Sequence, residues 1–121
     1  INLKLAKERR KNPKEEPLLG LNKQPTIICR SSLKERFDVT TEQFVNGQIA
    51  EVLESHKDWT AETPHVVKLK ERLEKFMAER EAGDELWFFD CGGWEALAGR
   101  AGFCILRGGD TIVAGYITRF S

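Results

Sequence analysis

The segment with the most suggestive chemistry is Asp90-Cys91-Gly92-Gly93-Trp94, where a predicted strand ends and a predicted helix begins. Two glycines let the backbone approach a ligand closely, and the N–H groups at a helix start can bind an anion or stabilise a thiolate. A catalytic thiol also needs a base within reach. A glycine-rich connection with an incidental cysteine explains the same residues without one, so the sequence favours a structural connection over a nucleophile.

The candidate bases are the two histidines, His56 and His65, which fall at or near the ends of predicted helices. Both are distant from Cys91 in sequence, so only the tertiary fold would bring either one to the thiol. With Asp58 and Glu62 the histidines could form a metal site, but their spacing does not require one, and a solvated loop is the simpler interpretation. The sequence therefore predicts neither a metal nor a cofactor.

Two further side chains extend this candidate site. Arg100 could bind a carboxylate or a phosphate through parallel N–H groups, or it could anchor Asp90 or Glu95 inside the fold, and the anchoring role is favoured. Trp94 follows two glycines and is expected to be partly exposed, a setting in which tryptophan is enriched at interaction sites. The candidate binding residues are therefore Cys91, Gly92, Gly93, Trp94 and Arg100.

Two amphipathic helices are predicted in the middle of the chain. The first begins at Thr40, whose hydroxyl can cap it with Gln43 in a capping box, and runs to about residue 56. The second has Thr63 as its cap and Pro64 in its first turn, and it ends at Gly83. Apolar residues at helical spacing are expected to be buried: Val45, Ile49, Val52, Leu69, Leu73 and Phe76.

The strand signals lie on either side of these helices. Gly108 and Gly109 supply the positive φ angles of a tight turn between two apolar runs, which predicts a C-terminal β-hairpin. The predicted strands are 26–29, 86–89, 103–106 and 111–114, with a short helix at 94–98. This order predicts an α+β fold in which two long amphipathic helices pack on one face of a small antiparallel or mixed sheet of about four strands.

Residues 1–25 are predicted to form a basic N-terminal arm interrupted by prolines, and residues 26–121 a single α+β domain. Within the arm, Leu18, Leu19 and Leu21 could hold it against the body or against a partner. Residues 1–16 contain six basic and three acidic side chains, so the arm carries a net charge of +3 and could steer an acidic partner. A solvated tail that binds nothing accounts for the same composition and is favoured.

The composition limits the function classes. Lys+Arg and Asp+Glu are both 19, and a net charge of zero argues against a domain that grips nucleic acid. Three cysteines without metal-ligand spacing indicate the reducing cytoplasm rather than a disulfide framework. No apolar run approaches the roughly 20 residues of a membrane helix. The highly charged first residues do not fit a signal peptide.

One part of the chain resembles known proteins. The segment from Gly83-Asp84-Glu85-Leu86-Trp87 through Trp94 to Gly99-Arg100-Ala101-Gly102 is similar to the C-terminal part of small uncharacterised bacterial proteins. The likeness covers about the last 40 residues and consists of an acidic-Leu-Trp strand, a Trp-containing helical turn and a Gly-Arg-Ala-Gly step. It implies a bacterial origin and a shared hairpin unit, and it carries no activity.

These observations leave three hypotheses about function. The favoured one is a non-enzymatic module that binds another protein, such as an inhibitor, an immunity-type protein or a regulator. It follows from the missing catalytic constellation, the small size and the balanced charge. The alternative is a small enzyme with Cys91 as nucleophile and His56 or His65 as base. The weakest is a nucleic-acid accessory domain that uses the basic arm.

Overall fold

The computed structural model describes residues 16–92 and 99–120, and within them the fold is α+β, with two helices and one six-stranded mixed sheet. The strands are β1 Pro17–Gly20, β2 Pro25–Cys29, β3 Leu33–Phe37, β4 Glu85–Asp90, β5 Arg100–Arg107 and β6 Thr111–Phe120. The helices are α1 Thr41–Ser55 and α2 Pro64–Ala78, and a 3-10 turn covers Arg30–Ser32. The chain divides into two compact units, a helical unit at Asp38–Glu81 and a strand unit formed by the sequence before and after it.

The sheet of the strand unit must be strongly curled. Its strand order is β2-β1-β6-β5-β4-β3, with β1 and β6 parallel and every other neighbouring pair antiparallel. In a flat sheet, spacings of about 4.8 Å would put the two edge strands roughly 24 Å apart. The turn Arg30–Ser32 joins those edges directly, and a link of that length spans at most about 14 Å. The sheet therefore closes on itself far enough to bring β2 to the start of β3.

An apolar cluster lies in the interior of this curled sheet. It is built from five of the six strands, with Leu33, Trp87 and Cys91 packed against it. The buried members are Leu18, Ile28, Phe89, Cys104, Leu106 and Ile112. Residues 101–106 of β5 are all buried, so β5 is covered on both faces and is a central strand of the unit.

The sequence predicted about four strands, and the two that it missed have different causes. Strand β1 was missed because Pro17 and Pro25 were interpreted as interruptions of an arm. Each of these prolines is instead the first residue of a strand, a position that proline tolerates. Strand β3 is an edge strand whose exposed charged residues hide its β pattern. The predicted arm 1–25 is thus partly sheet, because Pro17–Gly20 belongs to it. Residues 1–15 lie outside the described part of the chain.

Both helices start at the predicted residues, whereas the side-chain cap of α2 and its end differ from prediction. The Thr40 hydroxyl accepts from the Gln43 amide at 3.1 Å, and the Thr40 amide donates to Gln43 Oε1 at 2.9 Å, which completes the capping box. At α2, Pro64 stands in the first turn, but the Thr63 hydroxyl accepts from the Thr60 amide and does not cap the helix. Helix α2 ends at Ala78, before the predicted end at Gly83, which instead takes a φ of 88° in the turn before β4.

Burial in the helices follows the predicted pattern only in part. Val45, Leu73 and Phe76 are buried, and the Phe44 and Phe76 rings pack at 6.2 Å within the helical unit. The other three residues predicted to be buried are half-exposed: Ile49, Val52 and Leu69. The two ends of the helical unit are joined by a hydrogen bond, in which the Arg80 guanidinium donates to the Val39 carbonyl at 2.9 Å.

The predicted C-terminal hairpin is present. Gly108 and Gly109 have φ values of 64° and 78° and turn the chain from β5 into β6. Across the described residues, no helix is both long and apolar enough to cross a membrane.

Candidate functional site

Cys91 lies immediately after β4, where its backbone amide donates to the Arg100 carbonyl at 2.9 Å and extends the β4–β5 ladder by one residue. The next amide, that of Gly92, donates to Asp90 Oδ1 at 2.8 Å. This closes a local turn of the kind that Asp side chains favour, and the φ of 69° at Gly92 explains the glycine there. The other predicted site residues of this segment, Gly93 and Trp94, lie outside the described residues, as does the predicted helix 94–98.

The Cys91 thiol makes a hydrogen bond across the seam of the curled sheet, which is the place where the edge strand β2 comes near the end of β4. Its Sγ donates to the carbonyl oxygen of Ile27 on the edge strand β2, over 3.3 Å. The buried Ser32 side chain in the turn between β2 and β3 forms a second hydrogen bond to it. An edge strand presents carbonyl groups that need a donor. The Cys91 thiol supplies that donor to the Ile27 carbonyl, on the side of β2 that pairs with no other strand. This is a structural role.

The electrostatic surroundings keep this thiol protonated. Burial raises the pKa of Cys91 above its ordinary value, and the charges of Cys29 and Asp90 raise it further. The hydrogen bond from Ser32 and the positive charge of Arg100 act in the opposite direction without reversing the shift in the pKa. Since the thiolate is the reactive form, this environment is the reverse of one that activates a nucleophile.

All three cysteines of the chain lie in the strand unit, and they affect one another electrostatically. Cys104 is fully buried in the interior cluster, and its burial, with a contribution from Cys91, raises its pKa to about 12. Cys29 and Cys91 are half-buried. Nothing in the residue pattern linked Cys29 or Ser32 to Cys91, because only the closure of the sheet brings the end of β2 to the end of β4.

Arg100 begins β5, beside Cys91. Its guanidinium donates to the Gly99 carbonyl at 2.8 Å, and the side chain is half-buried. Of the predicted site residues, the structure therefore brings Cys91, Gly92 and Arg100 together. This hydrogen bond joins Arg100 to the neighbouring backbone, and the anchoring of Asp90 or Glu95 that the sequence favoured stays a prediction.

The two histidines form a different arrangement, in the connection between α1 and α2. The His56 ring stacks on Trp59 at 3.8 Å with an interplanar angle of 8°, and the His65 ring stacks on Trp59 at 5.6 Å and 22°. The sequence did not predict this stack, although the aromatic residue between two histidines was visible. Within residues 16–92 and 99–120, no group of three or more His, Cys, Asp and Glu side chains is placed to hold a metal ion.

An exposed apolar surface covers the outer side of the β1–β2 hairpin. Leu19 is 44% exposed, Leu21 57% and Ile27 54%, while the exposed Pro17 and Pro25 lie on the same two strands. We call these five residues the hairpin face. The segment 17–29 contains a single charged residue, Lys23, in a chain of which 31% is charged. Of the three leucines expected to pin the arm, Leu18 is buried in the interior cluster, and Leu19 and Leu21 face solvent.

No protein-family model matches this chain, and neither does a curated protein or a solved structure.

Proposed function

We propose that this chain is a non-enzymatic protein-interaction module, of the inhibitor, immunity or regulatory kind, and that it binds another protein through the hairpin face. The observation that carries the proposal is the joint exposure of Leu19, Leu21 and Ile27 on the β1–β2 hairpin, with Leu21 in its turn. Single exposed apolar side chains are ordinary on protein surfaces, whereas a contiguous group is typical of an interaction site.

The size of the hairpin face indicates the kind of partner. At the exposures given above, its Leu and Ile side chains leave on the order of 300 Å² of apolar surface, the size of the largest patch on many monomers. One side of a standard stable interface covers about 800 Å². The hairpin face can thus supply the apolar centre of an interface but not a permanent dimer with a second copy. It suits a different protein that inserts an apolar side chain and adds polar contacts around it.

The edge of β2 does not favour binding by strand addition. Pro25 has no backbone N–H to offer, and the Ile27 carbonyl already accepts from the Cys91 thiol. Side chains of the partner, not a backbone ladder, would therefore provide the contacts. The raised pKa of Cys91 and its hydrogen bond to a backbone carbonyl also favour the binding module over the thiol enzyme.

The test is site-specific photo-crosslinking in cells, followed by binding to the purified partner. A photo-crosslinking side chain at position 21 should capture one protein, and the same group at position 117 on β6 should not. Ile117 is a suitable control because it is an exposed apolar residue of the same unit, at 37%, outside the hairpin. With the captured protein purified, the double variant Leu21→Ser/Ile27→Ser should weaken binding at least 10-fold, which corresponds to about 1.4 kcal/mol.

The control variant Ile117→Ser should change the affinity less than about 2-fold, since it removes an exposed apolar side chain outside the hairpin face. Circular dichroism and thermal unfolding would show that both variants remain folded. The proposal would be wrong if the double variant and the control bound equally well. It would also be wrong if position 21 captured only a second copy of this chain in a stable dimer.

A further inference from the structure

The half-buried cysteines Cys29 and Cys91 lie on the two sides of the seam where the curled sheet closes. The contact that places them is the hydrogen bond from Cys91 Sγ to the Ile27 carbonyl oxygen, at 3.3 Å. That oxygen lies between the Ile27 and Ile28 Cα positions, so about 5 Å of strand separates it from the Cα of Cys29. The two thiols are also close enough for the charge of Cys29 to raise the pKa of Cys91.

We propose that Cys29 and Cys91 form a reversible intramolecular disulfide when the chain is exposed to excess hydrogen peroxide. The inference goes beyond the proposed binding function and does not depend on it. Hydrogen peroxide oxidises the first thiol to a sulfenic acid, and one water leaves. The second thiol attacks that sulfur, the S–S bond forms, and the hydroxyl leaves as a second water. The two thiols lose two electrons and two protons, and the peroxide is reduced.

The third cysteine is excluded by its place in the sheet. Cys104 pairs with Trp87, four residues before Cys91, so it lies roughly 13 Å from Cys91 along β4. A disulfide requires Cα atoms within about 7 Å. Cys104 is also fully buried, whereas Cys29 and Cys91 are both partly open to a small oxidant. The distance thus excludes Cys104 as a partner of Cys91, and its burial shields it from an oxidant.

The disulfide would replace the hydrogen bond that the Cys91 thiol makes across the seam. Bond formation moves the Cys91 sulfur by a few ångströms along β2 and withdraws the donor from the Ile27 carbonyl. In exchange, it links the edge strand covalently to the end of β4. Because the thiolate is the form that peroxide oxidises, the raised pKa of Cys91 makes its oxidation slow, and excess peroxide is needed. A thiol reductant attacks the disulfide and restores the hydrogen bond.

Peptide mass spectrometry tests the pairing directly, because trypsin places each cysteine in a separate peptide. Cys29 lies in 24–30, Cys91 in 81–100 and Cys104 in 101–107. The reduced full chain would be treated with hydrogen peroxide, blocked with N-ethylmaleimide under denaturing conditions and digested without reductant. We expect a cross-link between peptides 24–30 and 81–100, about 2 Da lighter than their sum, with Cys104 blocked as a thiol. Dithiothreitol should abolish the cross-link.

Two variants serve as controls. Cys29→Ser should abolish the cross-link and leave Cys91 as a thiol or an over-oxidised acid, and Cys104→Ala should retain the cross-link. If Cys104→Ala does not fold, the maleimide label on Cys104 in the unaltered chain gives the same information. A cross-link that contains peptide 101–107, a purely intermolecular disulfide, or over-oxidation of Cys29 and Cys91 without any cross-link would overturn the proposal.

Discussion

Gly102 in β5 provides the sharpest test of the sheet geometry. A Cβ built at this position would overlap the Tyr116 carbonyl oxygen, and it would lie 2.9 Å from the Ile117 Cα and 3.0 Å from the Thr118 amide. All three atoms belong to the backbone of the paired strand β6, where the register shifts between Ala101 and Gly102. The glycine is thus required by the close approach of two backbones and not by its φ angle.

The cost of Gly102→Ala follows from which atoms must move. Overpacking costs about 1–3 kcal/mol where side chains can rotate aside. Here the obstacle is a hydrogen-bonded strand, so we expect a loss of about 3 kcal/mol or more. A domain of this size has an unfolding free energy of roughly 5–15 kcal/mol, so the variant should still fold in the absence of denaturant. It should unfold at a lower urea concentration than the unaltered chain. With a urea m-value of about 2 kcal/mol per molar, the midpoint should fall by about 1.5 M.

The control for this variant is Gly115→Ala on β6. No atom lies within 4 Å of a Cβ at Gly115, so the same chemical change should leave stability within about 0.5 kcal/mol of the unaltered chain. Urea unfolding followed by tryptophan fluorescence would measure both midpoints. If the two variants unfolded at the same urea concentration, the close approach of β5 and β6 at Gly102 would be refuted.

Three further predictions concern local interactions. The Asp84 side chain is 3% exposed and makes a bidentate ion pair with Arg107, at 2.9 and 2.8 Å, so Asp84→Ala should cost about 2 kcal/mol in chemical denaturation. Arg36→Ala, which breaks a more exposed pair with Glu85, should cost less than about 1 kcal/mol, and equal losses would contradict this distinction. Thr40→Ala should lower the unfolding free energy by about 1 kcal/mol through the lost cap, and Thr41→Ala should not. The pKa of Cys104 is about 12 in the fold and lower in the unfolded chain, so its contribution to stability is present at neutral pH and is lost as pH rises from about 9 towards 12. The unaltered chain should therefore lose up to about 1 kcal/mol more per pH unit over that range than Cys104→Ala, as measured by urea midpoints at each pH, and parallel curves would contradict it.

Features encoded within a few residues could be predicted from the sequence. The capping box at Thr40 and Gln43 formed as expected, since its two hydrogen bonds join residues three apart. The turn at Gly108 and Gly109 needs positive φ angles that glycine alone adopts readily, and it closes the predicted hairpin. Residue type and spacing were sufficient for these elements because the physical cause and its effect lie on the same short stretch of chain.

The strands β1 and β3 and the role of Cys91 depended on partners far away in sequence. Leu18 and Leu19 differ only in which side of β1 they occupy, and pairing with β2 and β6 decides that one is buried and the other exposed. Cys91 stood out by its neighbours in sequence, but its donor role comes from Ile27, 64 residues earlier. The sequence thus determined the helices, the final hairpin and the candidate cysteine. The curling of the sheet decided what that cysteine contacts, because a six-stranded sheet whose edges are joined by three residues must close on itself.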